Sequence, residues 1–395
     1  MAWNTAISTI LGLGFTCTVF SETWIVDDDG KADFDNIQAA VDAALEGDEI
    51  VVMPGVYTSS QNGHVINMLG KGITLRSSDP SNPDIVQTTI IDGNGERRGI
   101  SCFNGESNYT RIRGLSFINC FSADFDYNNN GTIDLFETAG GGMYCIGSSP
   151  IVSDCRFTHN VAIIGGGAFC ASESYPIFEK SLFTNNTANN YGGGLSCYLS
   201  NPTIADCIFQ SNTTLTYGAG GMSCLGGNAI IDNCSFLDNH ANTTGGGLSC
   251  VAADSTVTHC LFEGNSATEY GGGIFCDFAM PAIIECTIKN NIAGISGGGM
   301  GEANFSAPRL LQTTVCSNEP NQIDGHWVDE GGNTIANNCE IDCPDTNGDD
   351  TIGVGDLLAV IDAWGESHSP ADVNDDSTVD VLDLLLVVGN WGPCH

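Results

Sequence analysis

Between Gly140 and Gly301 the chain repeats one phrase: GGGMYC, GGGAFC, GGGLSC, AGGMSC, GGGLSC, GGGIFC and GGGMGE. The last glycine of each cluster falls at 142, 167, 194, 221, 247, 273 and 299, a step of 25 to 27 residues. A fixed period of this size marks an array whose units can bury their apolar faces only against one another. Three further columns keep the same period. Phe157, Phe183, Phe209, Phe236, Phe262 and Ile288 form an apolar one, and Asn160, Asn186, Asn212, Asn239, Asn265 and Asn291 lie three residues after each. Cysteines precede the apolar residue by two (Cys155, Cys207, Cys234, Cys260, Cys286, with Ser181 in the remaining unit). A second cysteine column follows the glycines: Cys145, Cys170, Cys197, Cys224, Cys250 and Cys276.

Stacked parallel strands lie about 4.8 Å apart, so equivalent residues of successive units sit over one another. Aligned Asn side chains can then hydrogen-bond along the axis, aligned Phe rings bury apolar surface, and glycine allows positive φ and close approach at a corner. These columns read as architecture. For the cysteines, disulfides and buried thiols are both open readings, and metal binding is disfavoured because CxxC spacing is absent.

The 395 residues hold 11 Lys+Arg against 48 Asp+Glu, a formal net charge of -37. That balance excludes a nucleic-acid partner, whose phosphates call for basic residues, and favours hard divalent cations between clustered carboxylates. Residues 1–21 read as a signal peptide, because Ala6 to Phe20 is mostly apolar but too short to span a bilayer. The expected location is secreted or cell-surface, with no transmembrane segment later in the chain.

After the signal, Asp35 and Gln38 have capping-box spacing, and Ile37, Ala40, Val41 and Ala44 share one helical face. Strands are expected at Ile50–Met53, Gly72–Leu75, Thr88–Ile91, Gly99–Phe103 and Tyr109–Phe117. This opening resembles that of secreted pectin-lyase-like proteins, in which a short helix caps a right-handed parallel β-helix. The FxxN and GGxx patterns resemble the repeats of chlamydial polymorphic outer membrane proteins. The implied fold is all-β: a right-handed parallel β-helix over 22–340 with a short N-terminal capping helix.

Two regions point to Ca²⁺. Asp126, Asn128, Asn130, Thr132, Asp134 and Glu137, with Gly131 at the sixth place, match an EF-hand loop inserted at 126–137. In the tail, Asp345, Asn347, Asp349, Thr351 and Asp356 recur 27 residues on as Asp372, Asn374, Asp376, Thr378 and Asp383, with Asp380 added. Each loop precedes an apolar helix, and Leu357, Leu358 and Trp364 map onto Leu384, Leu385 and Trp391. This duplication over 343–395 resembles a type I dockerin, a small all-α calcium-binding module that attaches secreted enzymes to a cohesin partner. Asp350 and Ser377 stand where that family has Gly, and Val354/Gly355 and Val381/Leu382 where it often has Ser or Thr. Cys343 and Cys394 flank the module as a possible clasp.

Catalysis is weighed on one column, Asp154, Lys180, Asp206, Asn233, His259 and Glu285, which strand alternation places outside. Asp154 and Asp206 would lie two units apart, about 9.6 Å, at the edge of the spacing for inverting glycoside hydrolysis. Asp154, Asp206, His259 and Glu285 are the candidate catalytic residues. Polysaccharide lyase or glycoside hydrolase activity is one reading. The other, favoured because a solvated polar face explains the column equally well, is non-catalytic binding of polysaccharide or a cell surface, tethered through the tail.

Overall fold

The computed structural model describes residues 21–59, 63–122, 131, 133–339, 344–349, 351–367, 369–374 and 378–393. The proposed signal peptide lies outside these, apart from Ser21. So do Asp126, Asn128, Asn130, Thr132, Asp376, Cys343 and Cys394.

The array is a parallel β-solenoid with four faces. In the coil that follows Gly142 they are Ile151–Ser153, Arg156–Thr158, Val161–Ile164 and Ala168–Ala171, here called faces one to four. Stacked over the chain these become sheets of twelve, eleven, six and ten strands. The columns stack in register, Phe157 pairing with Phe183 and Cys145 with Cys170, while face three shifts register once, between Ala162 and Ile164. One apolar core runs from Val26 to Val315, filled from face one by Val152, Phe178, Ile204, Ile231, Val257 and Ile283. From face two come the Phe rings, stacked 4.6 to 5.0 Å apart from Phe117 to Phe262.

The Asn column forms a continuous hydrogen-bonded ladder. Asn212 Nδ2 donates to Asn239 Oδ1 (2.9 Å) and to Phe183 O, while its Oδ1 accepts from the backbone N–H and Nδ2 of Asn186. The pattern repeats from Asn160 to Asn318, and Gln322 Oε1 closes it at 2.8 Å. Each fully buried amide is thereby satisfied on both ends, which removes the penalty of burying it. Cys120 occupies the rung before Asn160, its backbone N–H donating to Asn160 Oδ1.

The three glycines of a cluster have different reasons. Gly165 has φ +65 and leaves no room for a Cβ against Ala168 O in its own turn, whereas Gly166 and Gly167 are demanded by packing against the next coil. A Cβ on Gly166 would stand 2.6 Å from Gly193 O, and one on Gly167 2.4 Å from Gly194 O and 2.9 Å from the Phe183 ring.

The thirteen cysteines that are free among the described residues, both array columns included, are all buried. Burial pushes the Cys155 thiol up to about 12. In Cys234, Cys260 and Cys286 the neighbouring thiol on the preceding rung is the leading cause of a rise, with burial added. Between the two open readings, the array holds reduced thiols packed as small apolar groups. A disulfide does occur, Cys316–Cys339, outside both columns and closing the last coil. Maleimide labelling should therefore leave the array thiols unmodified in the native, unreduced protein and modify them on denaturation. Failure to label after denaturation would contradict this assignment.

The capping helix Ile37–Ala43 buries Ile37, Ala40 and Val41, as expected, but its N-cap is Asn36, whose side chain accepts from Ala39 N. Gln38 does not close a box with Asp35. Its amide pairs with the N–H and C=O of Asn67 on the terminal strand of face four, satisfying a sheet edge that would otherwise be open. The stretch expected as one strand at Tyr109–Phe117 is two, Arg111–Arg113 and Ser116–Ile118, because Gly114 turns the corner at φ +63.

The tail is a separate core of Ile352, Val360, Ala363, Ala371, Val379 and Val387. Helices Val354–Asp362 and Val381–Gly389 follow the two loops. It is not purely helical: Thr351–Ile352 pairs antiparallel with Gly392–Pro393 and joins the ends of the module.

Candidate functional site

Faces one and two meet at a corner held by a single residue in the left-handed region: Asp154, Lys180, Asp206, Asn233, His259 and Glu285, with φ between 48 and 56. These residues do project outward, but from a turn rather than by strand alternation. Asn and Asp suit that conformation because their short polar side chains bond locally.

The ridge is knitted along the axis. Asp154 turns toward Arg113 (3.7 Å) and Asp206 accepts from Asn233 Nδ2 (2.6 Å), so these two carboxylates have separate partners and do not face each other as a pair. Farther along, His259 bridges three rungs: Nδ1 lies 2.8 Å from Asp232 Oδ1, and Nε2 lies 3.2 Å from Glu285 Oε2. Thr258 Oγ1 donates to the same Asp232 oxygen. All three members of the bridge are about half exposed (47, 55 and 51%). Of the four candidate residues, the structure therefore joins His259 and Glu285 and leaves Asp154 and Asp206 elsewhere on the ridge. Asp232 was missed because it ends a face-one strand, one residue before the column. The signal was present as its place diagonally below His259.

A ring nitrogen facing a carboxylate on each side favours the imidazolium. The hydrogen bond to Asp232 is the main reason His259 titrates above its usual 6.5, with the charge of Glu285 adding to it. The same bond is the first cause holding Asp232 below its usual 3.8. The signs follow by linkage. What His259 contributes to stability is present in full below 6.5 and fades as pH rises through its higher folded value. What Asp232 contributes is present above 3.8 and is lost as pH falls through its lower one. An NMR titration should place His259 above 6.5, and Asp232→Asn should move it down. No movement would remove Asp232 as the cause.

In the tail, the last acid of each loop is fully buried in the same way. Asp356 accepts from Asn347 N and Gly353 N, and Asp383 from Val373 N and Asp380 N. Burial pushes Asp356 up, but the N–H groups of Gly353 and Asn347 outweigh it and leave the carboxyl below its usual value. Asp345 Oδ1 gathers the N–H groups of Gly348 and Asp349, curling the loop. The oxygen donors Asp345, Asn347, Asp349 and Thr351 suit a hard cation. Among the described residues, however, no three His, Cys, Asp or Glu side chains converge as a metal cage. At the inserted loop, Asp134 and Glu137 form a capping box, Glu137 Oε2 accepting from Asp134 N.

The two tail helices leave equivalent apolar residues exposed: Val354, Leu358, Ile361 and Trp364 on one, Val381, Leu385, Val388 and Trp391 on the other. Among the described residues no helix is long and apolar enough to cross a membrane.

The family described as right handed beta helix region matches residues 147–307. No curated protein matches the chain. Among solved structures, a pectate lyase is similar at 13% identity, covering 91% of this chain and 88% of that one, with a TM-score of 0.46. A rhamnogalacturonan lyase is similar at 10% identity, covering 93% of this chain and 98% of that one, with a TM-score of 0.37. The A-module of a mannuronan C-5 epimerase of Azotobacter vinelandii is similar at 12% identity over 75% of this chain and 94% of that one, TM-score 0.28. The chain thus has a right-handed parallel β-helix fold. A likeness of fold does not carry an activity with it.

Proposed function

We propose that the protein is a secreted solenoid that binds a glycan or glycan-bearing surface without cleaving it, and that the duplicated tail tethers it to a partner protein. The observation that carries this reading is the ridge. Its acids are tied to neighbours on adjacent rungs, Asp206 to Asn233 and both Asp232 and Glu285 to His259, which makes a rung-spaced ladder of polar groups suited to recognition. The tail would supply Ca²⁺-ordered loops from Asp345, Asn347, Asp349, Thr351 and Asp356, and from Asp372, Asn374, Asp376, Thr378, Asp380 and Asp383. When bound, the ion supplies charge neutralisation and folding energy. The apolar stripes beginning at Val354 and Val381 would face a cohesin-like partner. The loop at 126–137 is proposed as a third Ca²⁺ site.

A second reading is catalysis, and one observation favours it: an imidazolium held between two carboxylates can give a proton to a leaving oxygen, as a general acid does. Native electrophoresis through gels containing a panel of polysaccharides tests the first reading, with retardation expected on at least one. Passage through all of them unretarded would overturn it. Calcium added to chelated protein should raise its helical circular dichroism, and an unchanged spectrum would end the calcium reading.

A further inference from the structure

The corner between faces four and one differs from every other corner of the array. Elsewhere the left-handed positions are mostly Asp, Asn, His, Ser, Lys or Glu, residues that suit them or are freely solvated. Here the aligned column runs Ser172, Leu199, Gly226, Ala252, Phe278, Asn304, all at positive φ. Leu199 and Phe278 are bulky and apolar, and both are about half exposed (48 and 57%). Such side chains rarely accept that backbone, and neither solvent exposure nor core packing rewards them for it. Gly226 shows that the same place can be filled without strain.

The next outward column, two residues on (three at Tyr175), is Tyr175, Asn201, Asn228, Asp254, Met280. It is laced by N–H to side-chain bonds: Asn228 N to Asn201 Oδ1 at 2.8 Å, Asp254 N to Asn228 Oδ1 at 2.8 Å, and Met280 N to Asp254 Oδ1 at 2.6 Å. Asn201 and Asn228 spend only their oxygens in this way, and among the described residues neither Nδ2 group has a hydrogen-bond acceptor.

The two columns together describe a trough along the solenoid axis. Its ends are apolar: Tyr175 and Leu199 at one, and Phe278, Met280 and the still more exposed Phe305 at the other, with the Phe278 and Phe305 rings 6.3 Å apart. Its middle is floored by Gly226 and Ala252 and edged by amides and a carboxylate. At the Tyr175 end the depression has a volume of about 630 Å³.

The rung repeat of about 4.8 Å is close to the length of one pyranose unit, so successive sugars of an extended chain meet equivalent positions. Ring faces present C–H groups to aromatic rings, and hydroxyls meet amides. Charge narrows the class. Between Lys180 and Lys289 the chain has no Lys or Arg, while Asp254 and Asp277 stand on this corner. A polyanion would be repelled.

We propose that this trough is a second glycan-contacting surface beside the ridge and that its ligand is an extended, uncharged polysaccharide lying along the axis. Sugar faces rest on Tyr175, Phe278 and Phe305, and hydroxyls are held by Asn201, Asn228 and Asp254. The proposal rests on the glycan-binding reading above. The test is affinity electrophoresis of the full chain and of its Phe278→Ala/Phe305→Ala variant through soluble mixed-linkage β-glucan, xylan and polygalacturonate, each with Ca²⁺ and with chelator. The expected result is retardation by a neutral polymer, weakened about tenfold in the variant, and none by polygalacturonate. Equal retardation of the variant would overturn the trough and leave glycan binding standing. Retardation by polygalacturonate alone would overturn the ligand class. No retardation by any of the three would sink this proposal and count against the reading beneath it.

Discussion

Replacing Gly193 by alanine is expected to cost more than about 4 kcal/mol, enough to threaten folding. A Cβ there would lie 2.5 Å from Gly220 O and 2.6 Å from both Thr213 N and Thr213 O, all backbone atoms. None can move aside, because the adjacent rungs are fixed to one another by ladder hydrogen bonds on every face. The comparison that separates packing against neighbouring strands from the local turn is Gly245→Ala. Gly245 is the first glycine of its cluster, at φ +68, and the equivalent place one coil earlier is already alanine, Ala219, at φ 63. The left-handed penalty of about 1–2 kcal/mol should appear there together with a 2.7 Å approach to Leu248 O inside the same turn, which Ala219 shows the turn can accommodate, so the loss should be smaller than at Gly193. Urea unfolding of both variants measures the difference, and equal losses would refute the assignment of the second glycine to close packing.

Asn212→Ala should cost about 3–5 kcal/mol. The substitution strips partners from Asn186 N, Asn186 Nδ2, Phe183 O and Asn239 Oδ1, in a column where every Asn is fully buried. Each buried group left unpaired carries about 1–3 kcal/mol. Because a solenoid's stability is a sum over neighbouring units, a break in mid-stack should also lower the cooperativity of unfolding. Asn233→Ala is the control: it is exposed, on the outer ridge, and loses one hydrogen bond to Asp206. A loss for Asn212→Ala no larger than for Asn233→Ala would mean that the ladder contributes little.

Much of this architecture was legible because it is periodic. The Phe and Asn columns stack as their spacing implied, and the in-register cysteines follow from the same count. What escaped was aperiodic or diagonal. Cys316–Cys339 lies outside both columns, so its partners share no spacing with the array. Asp232 reaches His259 across one rung and one residue, a contact that aligned columns do not display. The corner residues were assigned to strands, because nothing in their identity alone separates a left-handed Asp206 from an outward-facing one. Leu199 and Phe278 are aligned in the sequence, but with Gly226 and Ala252 between them the column has no common chemistry to notice. The duplicated tail was legible from its offset of 27 residues. Its strand pair was not, since two residues at each end are too few to make a pattern.

The account separates buried columns, which hold the stack, from exposed corners, which meet the ligand. Its most direct test is to incubate the full chain with a polysaccharide that retards it and to measure retention and new reducing ends or unsaturated product in the same samples. The account predicts retention of the full chain with no product, and no product from Asp206→Ala or His259→Ala either. Product release that disappears in either variant would contradict it and turn the ridge from a recognition surface into an active site.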